Sequence, residues 1–202
     1  MELKTARLVL RPWNESDAGN LYKYASDPLV GPPAGWPPHK SASESLEVIR
    51  TVFCGTECYA VCLAQSEFPA AGGTVRADCN EAPRAVGCVE LKLNGRTDMT
   101  ERDDECEFGC WIARPFWGRG LIPEAARELL RRAFEDLGMR AVWYGWYDGN
   151  EQSRRVQEKL GFDFHHTCPA CPVPLLGETR ISHTSVLTRE RWLELNAQID
   201  KY

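Results

Sequence analysis

Residues 114–126, RPFWGRGLIPEAA, place Gly118-Arg119-Gly120 directly before a run of strong helix formers. Glycine is costly inside a helix, so two of them around an arginine call for a reason. The first amides of a helix lack an intrahelical acceptor and sit at the positive end of its dipole. Glycines there let the chain curl and let an anion approach without a Cβ in the way. Strand, Gly-x-Gly, helix is therefore either a phosphate cradle or a plain strand–helix connection, and the stretch alone leaves both open. It is not a Walker A loop, because no Gly-Lys-Ser/Thr follows, and it lacks the third glycine of a dinucleotide fingerprint.

Other residue types invite chemistry more weakly. Cys168-Pro-Ala-Cys171, with His165, His166 and His183 nearby, has one Cys-x-x-Cys and no fixed histidine spacing, which argues against a metal site. Pro172 and Pro174 suggest that it lies in an exposed turn. No cysteine stands in a Cys–His nucleophile context. Trp143 and Trp146 read as core. Trp36, in the Pro/Gly-rich stretch LVGPPAGWPPHK, is the better candidate for substrate contact.

The elements that must hold these groups follow from periodicity. Residues 5–13 alternate and read as a strand. NESDAGNLYKYASD reads as a helix stopped by Pro28, and Ser41 with Glu44 as the capping box of a second helix running to about Phe53. Residues 58–64, 85–93 and 105–113 read as strands, with a long excursion over 65–84, an Asn94-Gly95 turn, and a bulge or close backbone approach at Gly109. Ile122, Ala126, Leu129, Ala133, Phe134 and Leu137 form a helical stripe ended by Gly138. A strand over 140–147, a helix from Asn150 to Leu160, two closing strands and a last helix complete the chain. The order is α+β with one parallel crossover in the middle.

The bulk properties narrow the function. The 202 residues fit one domain, with 43% hydrophobic and 26% charged residues. The net charge of −5 argues against a nucleic-acid binder and suits a cationic or amine-bearing substrate. No apolar run is long enough for a membrane span, and the first residues alternate rather than forming a signal peptide, so a cytoplasmic protein with nine reduced cysteines is expected.

Four pieces in order carry a resemblance: TARLVLRPW…SDA, EFGCWIARPFWGRGLIPEAA, NEQSRRVQEKLGF and HTSVLTRERW. Together they resemble the GNAT superfamily of acyl-CoA-dependent N-acetyltransferases, and within it the ribosomal-protein-alanine acetyltransferase branch. The resemblance covers nearly the whole chain. It implies a three-layer α+β fold over residues 1–202, with a mixed, mostly antiparallel sheet of about seven strands and helices on both faces. It implies acetyl-CoA as co-substrate, no metal, and direct transfer of acetyl to a primary amine, either a protein N-terminus or a small amine, by a monomer or homodimer. The alternative is an acyl-CoA-binding module without turnover.

Carried onto these residues, the resemblance has the pantetheine arm beside Trp111, Ile112 and Ala113, and the pyrophosphate on the amides of Gly118, Arg119, Gly120 and Leu121. Asn150 bonds the pantetheine or amine side, and it is equally a favoured N-cap. An amine must lose a proton before attack, since lysine-type amines titrate near ~10.4 and α-amines near ~8. Glu107 matches the branch's base, with Glu105 and Glu90 as competitors, and Ser153 matches the group that serves the leaving thiolate. Amides near Trp111 would serve the oxyanion. The superfamily pattern wants Gln or Arg at 115, where this chain has Pro115.

Overall fold

The computed structural model describes residues 1–64 and 84–199. The excursion expected over 65–84 therefore lies, apart from Arg84, outside the described residues. The first half carries β1 (Leu3–Lys4), β2 (Leu8–Pro12), α1 (Ala18–Ala25), α2 (Ala42–Thr51), β3 (Cys58–Leu63), β4 (Ala85–Lys92) and β5 (Glu105–Ile112). The second carries α3 (Leu121–Arg131), β6 (Ala141–Tyr147), α4 (Glu151–Leu160), β7 (Asp163–Val173), β8 (Glu178–Thr188) and α5 (Arg189–Ile199). One eight-stranded sheet has the order β1-β2-β3-β4-β5-β6-β8-β7. Every neighbouring pair is antiparallel except β5 and β6, which are parallel and joined through α3. This is the expected α+β sheet with one crossover, with eight strands where about seven were expected; the two-residue β1 is too short to show as alternation.

Two apolar layers flank the sheet. On one face α3 buries Leu121, Ile122, Ala125, Ala126, Leu129 and Leu130 against Leu8, Leu10, Val61, Phe108 and Val142. Each large side chain so buried contributes on the order of 1.5–3 kcal/mol. The helix widens into a π turn over Arg132–Asp136 before Gly138 turns left-handed at φ 69°. On the other face α1 and α2 pack Leu21, Ala25 and Ile49 on Trp13, Cys58, Ala60 and Cys88. Ser41 caps α2 by accepting the Glu44 amide at 3.1 Å, and Glu44 returns the contact one residue earlier, to the Lys40 amide. Below α1, Arg11 and Asp17 form a buried two-pronged ion pair at 2.7 and 2.8 Å.

One expectation is corrected here. Cys168 and Cys171 lie within β7, not in a turn; the turn follows Val173. β7 is the sheet's edge strand, where proline's missing N–H removes no ladder bond, so Pro169 and Pro172 are accommodated. At Gly109 there is no bulge. A Cβ there would lie 3.1 Å from Glu90 Oε1, so the glycine admits the Glu90 carboxylate over the strand.

Candidate active site

The β5–β6 ladder has three rungs, Glu105–Ala141, Cys106–Val142 and Glu107–Trp143, although β5 continues to Ile112 and β6 to Tyr147. Beyond Glu107 the strands part and leave a gap in the middle of the sheet. Ala113 donates its amide to Val86 at 2.9 Å, and β4–β5 pairing is unbroken. Successive residues turn their N–H and C=O groups to opposite edges of a strand, so those of Trp111 and Ala113 face β4. The groups facing the gap belong to Phe108, Cys110 and Ile112. Of the three residues expected to pair with a pantetheine arm, the strand's alternation thus presents Ile112 alone, and its carbonyl accepts the Trp117 indole N–H at 2.8 Å.

Pro115 stands within a single 3-10 turn over Arg114–Phe116, where no intrahelical N–H bond is lost to the proline, though residue 115 has no N–H to offer an anion. The loop then opens into Gly118 and Gly120, both at φ 73°. No heavy atom lies within 4 Å of where a Cβ on Gly118 would sit. Arg119 is exposed, with its guanidinium 5.7 Å over the Phe116 ring. Leu121, the first residue of α3, buries its side chain in the core while its amide begins the helix.

Arg7 and Glu124 brace this turn and escape a reading of the sequence, being 117 residues apart. Glu124 accepts from the Thr5 hydroxyl, the Arg7 amide and the Arg7 guanidinium at 2.5, 2.9 and 2.7 Å. Arg7 in turn donates to the Arg119 carbonyl at 3.1 Å. Burial works to raise the Glu124 pKa, but these hydrogen bonds outweigh it and hold the carboxyl below its ordinary range.

The α3/α4 face of the gap carries a hydroxyl relay. Asn150 caps α4 by accepting the Ser153 amide at 3.2 Å, and its Nδ2 donates to the Pro33 carbonyl at 3.0 Å. Both ends of its amide are thus engaged, tying α4 to the Pro-rich loop. Ser153 donates its hydroxyl to Tyr144 at 3.2 Å, and the Tyr144 oxygen stands 2.9 Å from Cys110 Sγ. Tyr144 is wedged edge-on between Phe108 and Phe162. Burial, with the Cys110 thiol adding to it, drives its pKa well above 10, so the phenol keeps its proton.

The opposite face carries the carboxylates. Glu107 is buried, with Lys92 Nζ at 2.6 Å on one oxygen and the Thr97 hydroxyl at 2.6 Å on the other. Glu105 is held by the Trp143 indole at 2.7 Å and Thr100 at 2.8 Å. Glu90 lies 4.0 Å from Lys92 Nζ; burial raises its pKa despite that ammonium. Burial opposes the charge on Lys92, yet Glu107 and Glu90 hold it protonated, above its ordinary value. Trp36 folds back from the Pro-rich loop onto Trp111 at 6.0 Å, and Trp111 lies 6.4 Å from Trp13. Of the side chains the sequence points to, Ser153 and Asn150 thus sit on the α3/α4 side of the sheet and Glu107 and Trp36 on the α1/α2 side, with the gap between them.

Among the described residues no group of three or more His, Cys, Asp or Glu is placed to hold a metal ion, and no helix is long and apolar enough to cross a membrane. The acetyltransferase (GNAT) domain family matches residues 7–163. YdaF of Bacillus subtilis strain 168, whose name is that of a ribosomal N-acetyltransferase, is 45% identical over 65 residues, 32% of this chain and 36% of that protein. The FsC-acetyl coenzyme A-N(2)-transacetylase of Aspergillus fumigatus is 37% identical over 101 residues, 46% of this chain and 40% of that one. The chain thus spans less than half the length of either of these curated relatives. The solved GNAT-family acetyltransferase of Bacillus anthracis superimposes with a TM-score of 0.74 at 18% identity, covering 94% of this chain and 99% of that one, a likeness of fold. Matched over most of its length, the chain belongs to the GNAT acetyltransferase family.

Proposed function

We propose that the protein is an acetyl-CoA-dependent N-acetyltransferase that moves the acetyl group directly to a primary amine, either a protein N-terminus or a small amine. The observation that carries this reading is the parted β5–β6 pair, with an anion cradle and hydroxyl relay on one face and buried carboxylates on the other. Residues of this chain fit acetyl-CoA: gap-facing backbone at Cys110 and Ile112 for the pantetheine arm, and left-handed glycines with open space at Gly118 for the pyrophosphate. When bound, it supplies the acyl group as a thioester.

The remaining chemistry belongs to the protein. An acceptor amine entering from the α1/α2 face meets Trp36 and the Glu90–Lys92–Glu107 cluster. Glu107 spends both oxygens on Lys92 and Thr97, so its role is to hold the ammonium. Glu90, whose burial makes it a stronger base than a solvated carboxylate, takes the amine proton. On the other face Ser153, which otherwise donates to the Tyr144 oxygen, turns its proton to the leaving sulfur, and the Tyr144 phenol donates to the serine oxygen in its place. Gap-facing amides of Phe108 and Cys110 are the donors for developing negative charge on the acyl oxygen.

The test is free-thiol release from acetyl-CoA over a panel of primary amines and N-terminal peptides. Acceptor-stimulated release supports the reading. CoA binding with no stimulated release from any member would overturn it.

A further inference from the structure

In a regular strand the cysteines of Cys168-Pro-Ala-Cys171 would point to opposite faces, because side chains alternate. In β7 they do not. Cys168 stands opposite Ser182 and Cys171 opposite Arg180, so β7 advances three residues while β8 advances two. The extra residue is a bulge. Ser182 and Arg180, two apart, share a face, and the bulge brings both cysteines onto it as neighbours. Both are free and half-buried. Burial raises the Cys171 pKa, with Cys168 and Ser182 as its hydrogen-bonding neighbours. The same face carries Tyr147, opposite Ser182, and Arg180, which lies 5.3 Å over the Tyr147 ring and donates to the Pro32 carbonyl at 2.6 Å.

We propose that Cys168 and Cys171 form a dithiol site for a trivalent thiophilic centre, of the chemical class of the organoarsenical oxides RAs=O. Two As–S bonds form and both S–H bonds break. The two protons leave with the oxo oxygen as one water, and arsenic stays trivalent, so no oxidant is required. Two sulfurs complete such a centre, whereas a tetrahedral zinc site would need further ligands, which the described residues do not gather here. A second close pair among the described residues, Cys58 and Cys88 at 3.6 Å, is 3% and 2% exposed beneath α2 and closed to reagents while the protein is folded. Because Arg180 and Tyr147 join this face to the Pro-rich loop that carries Trp36, occupancy of the β7 site also shifts that loop, a consequence that rests on the acetyl-transfer reading.

The experiment adds phenylarsine oxide to the native full chain and weighs it intact. We expect one equivalent on the wild type, resistant to a monothiol wash and released by a 1,2-dithiol. C168S and C171S should each lose the wash-resistant adduct at least tenfold, and C58S should keep it. Failure of the wild type to form that adduct, or its survival in C168S and C171S, overturns the site. In the thiol-release assay, the reagent should raise the KM for the amine in wild type and leave C171S unaffected. An adduct that forms without this effect keeps the dithiol site and removes its link to the Trp36 loop.

Discussion

The Ser153 hydroxyl of α4 donates at 3.2 Å to the phenolic oxygen of Tyr144, a residue of β6 buried to 3% exposure. A serine hydroxyl by itself is a reluctant acid. Were it to turn toward a leaving group, the phenol, which burial keeps protonated, would donate to the serine oxygen in its place and make Ser153 the outer member of a proton relay.

Replacing Tyr144 by Phe keeps the ring contacts and removes the proton. It should lower kcat about 100-fold, the low end for general acid assistance, with little change in CoA affinity. S153A should do the same. The double variant should be no worse than either single one, because the two act as a unit. Steady-state kinetics with a thiol-detecting reagent, beside calorimetric CoA titration, make the comparison. Additive losses would separate the two hydroxyls.

Glu90 yields a prediction with opposite signs for activity and stability. Its folded pKa is raised above 4.5 by burial, so the base form is lost, and the rate falls, as pH drops through that raised value. E90Q should abolish this acid limb and most of the rate, while E107Q keeps the limb. For stability, a raised folded value means that the contribution is complete below the unfolded pKa and lost as pH rises through the folded one. E90Q should therefore raise the urea midpoint at pH 7 and have little effect at pH 4.

Gly118 tests the cradle. Nothing surrounds its absent Cβ, so G118A should cost only the left-handed strain, about 1–2 kcal/mol. CoA binding should fall more than tenfold, because the methyl group occupies the anion's approach. Denaturant titration and isothermal calorimetry on the same sample read the two effects. A variant destabilised as expected but with unchanged CoA affinity would remove the pyrophosphate from this turn.

Asp17 tests the α1/α2 side of the fold. D17A leaves the buried Arg11 guanidinium without its two-pronged carboxylate and should cost about 3–5 kcal/mol. Chemical denaturation followed by far-UV circular dichroism measures it. A loss under 1 kcal/mol would mean that water reaches the pair.

Much of the architecture was legible because it rests on local signals. Gly118 and Gly120 before an amphipathic run, Asn150 as a cap and Gly138 as a stop read correctly from residue type alone. What stayed hidden depends on pairing across the sheet. AVWYGWY places an aromatic or bulky group on both faces of β6, so nothing in that run distinguishes Tyr144 from its neighbours. Lys92 and Glu107 meet only because Lys92 stands opposite Glu107 in the β4–β5 register. The exposed turn expected at CPAC failed for a related reason: proline signals a turn locally, but an edge strand with a bulge accommodates it. Glu107 was picked by position, and only the packing shows that both its oxygens are engaged while Glu90 bears the desolvation.

The three rungs between β5 and β6 have a mechanical consequence. Apart from the pairing of the two-residue β1, they are the thinnest seam of the sheet, between a five-stranded half and a three-stranded half. A ligand that hydrogen-bonds to the gap-facing amides of Cys110 and Ile112 would act as a temporary strand, spanning the seam and coupling the halves. The ligand-free protein should then show its fastest strand amide exchange at these two residues. Saturating CoA should slow that exchange and raise the melting temperature in proportion to the logarithm of its concentration.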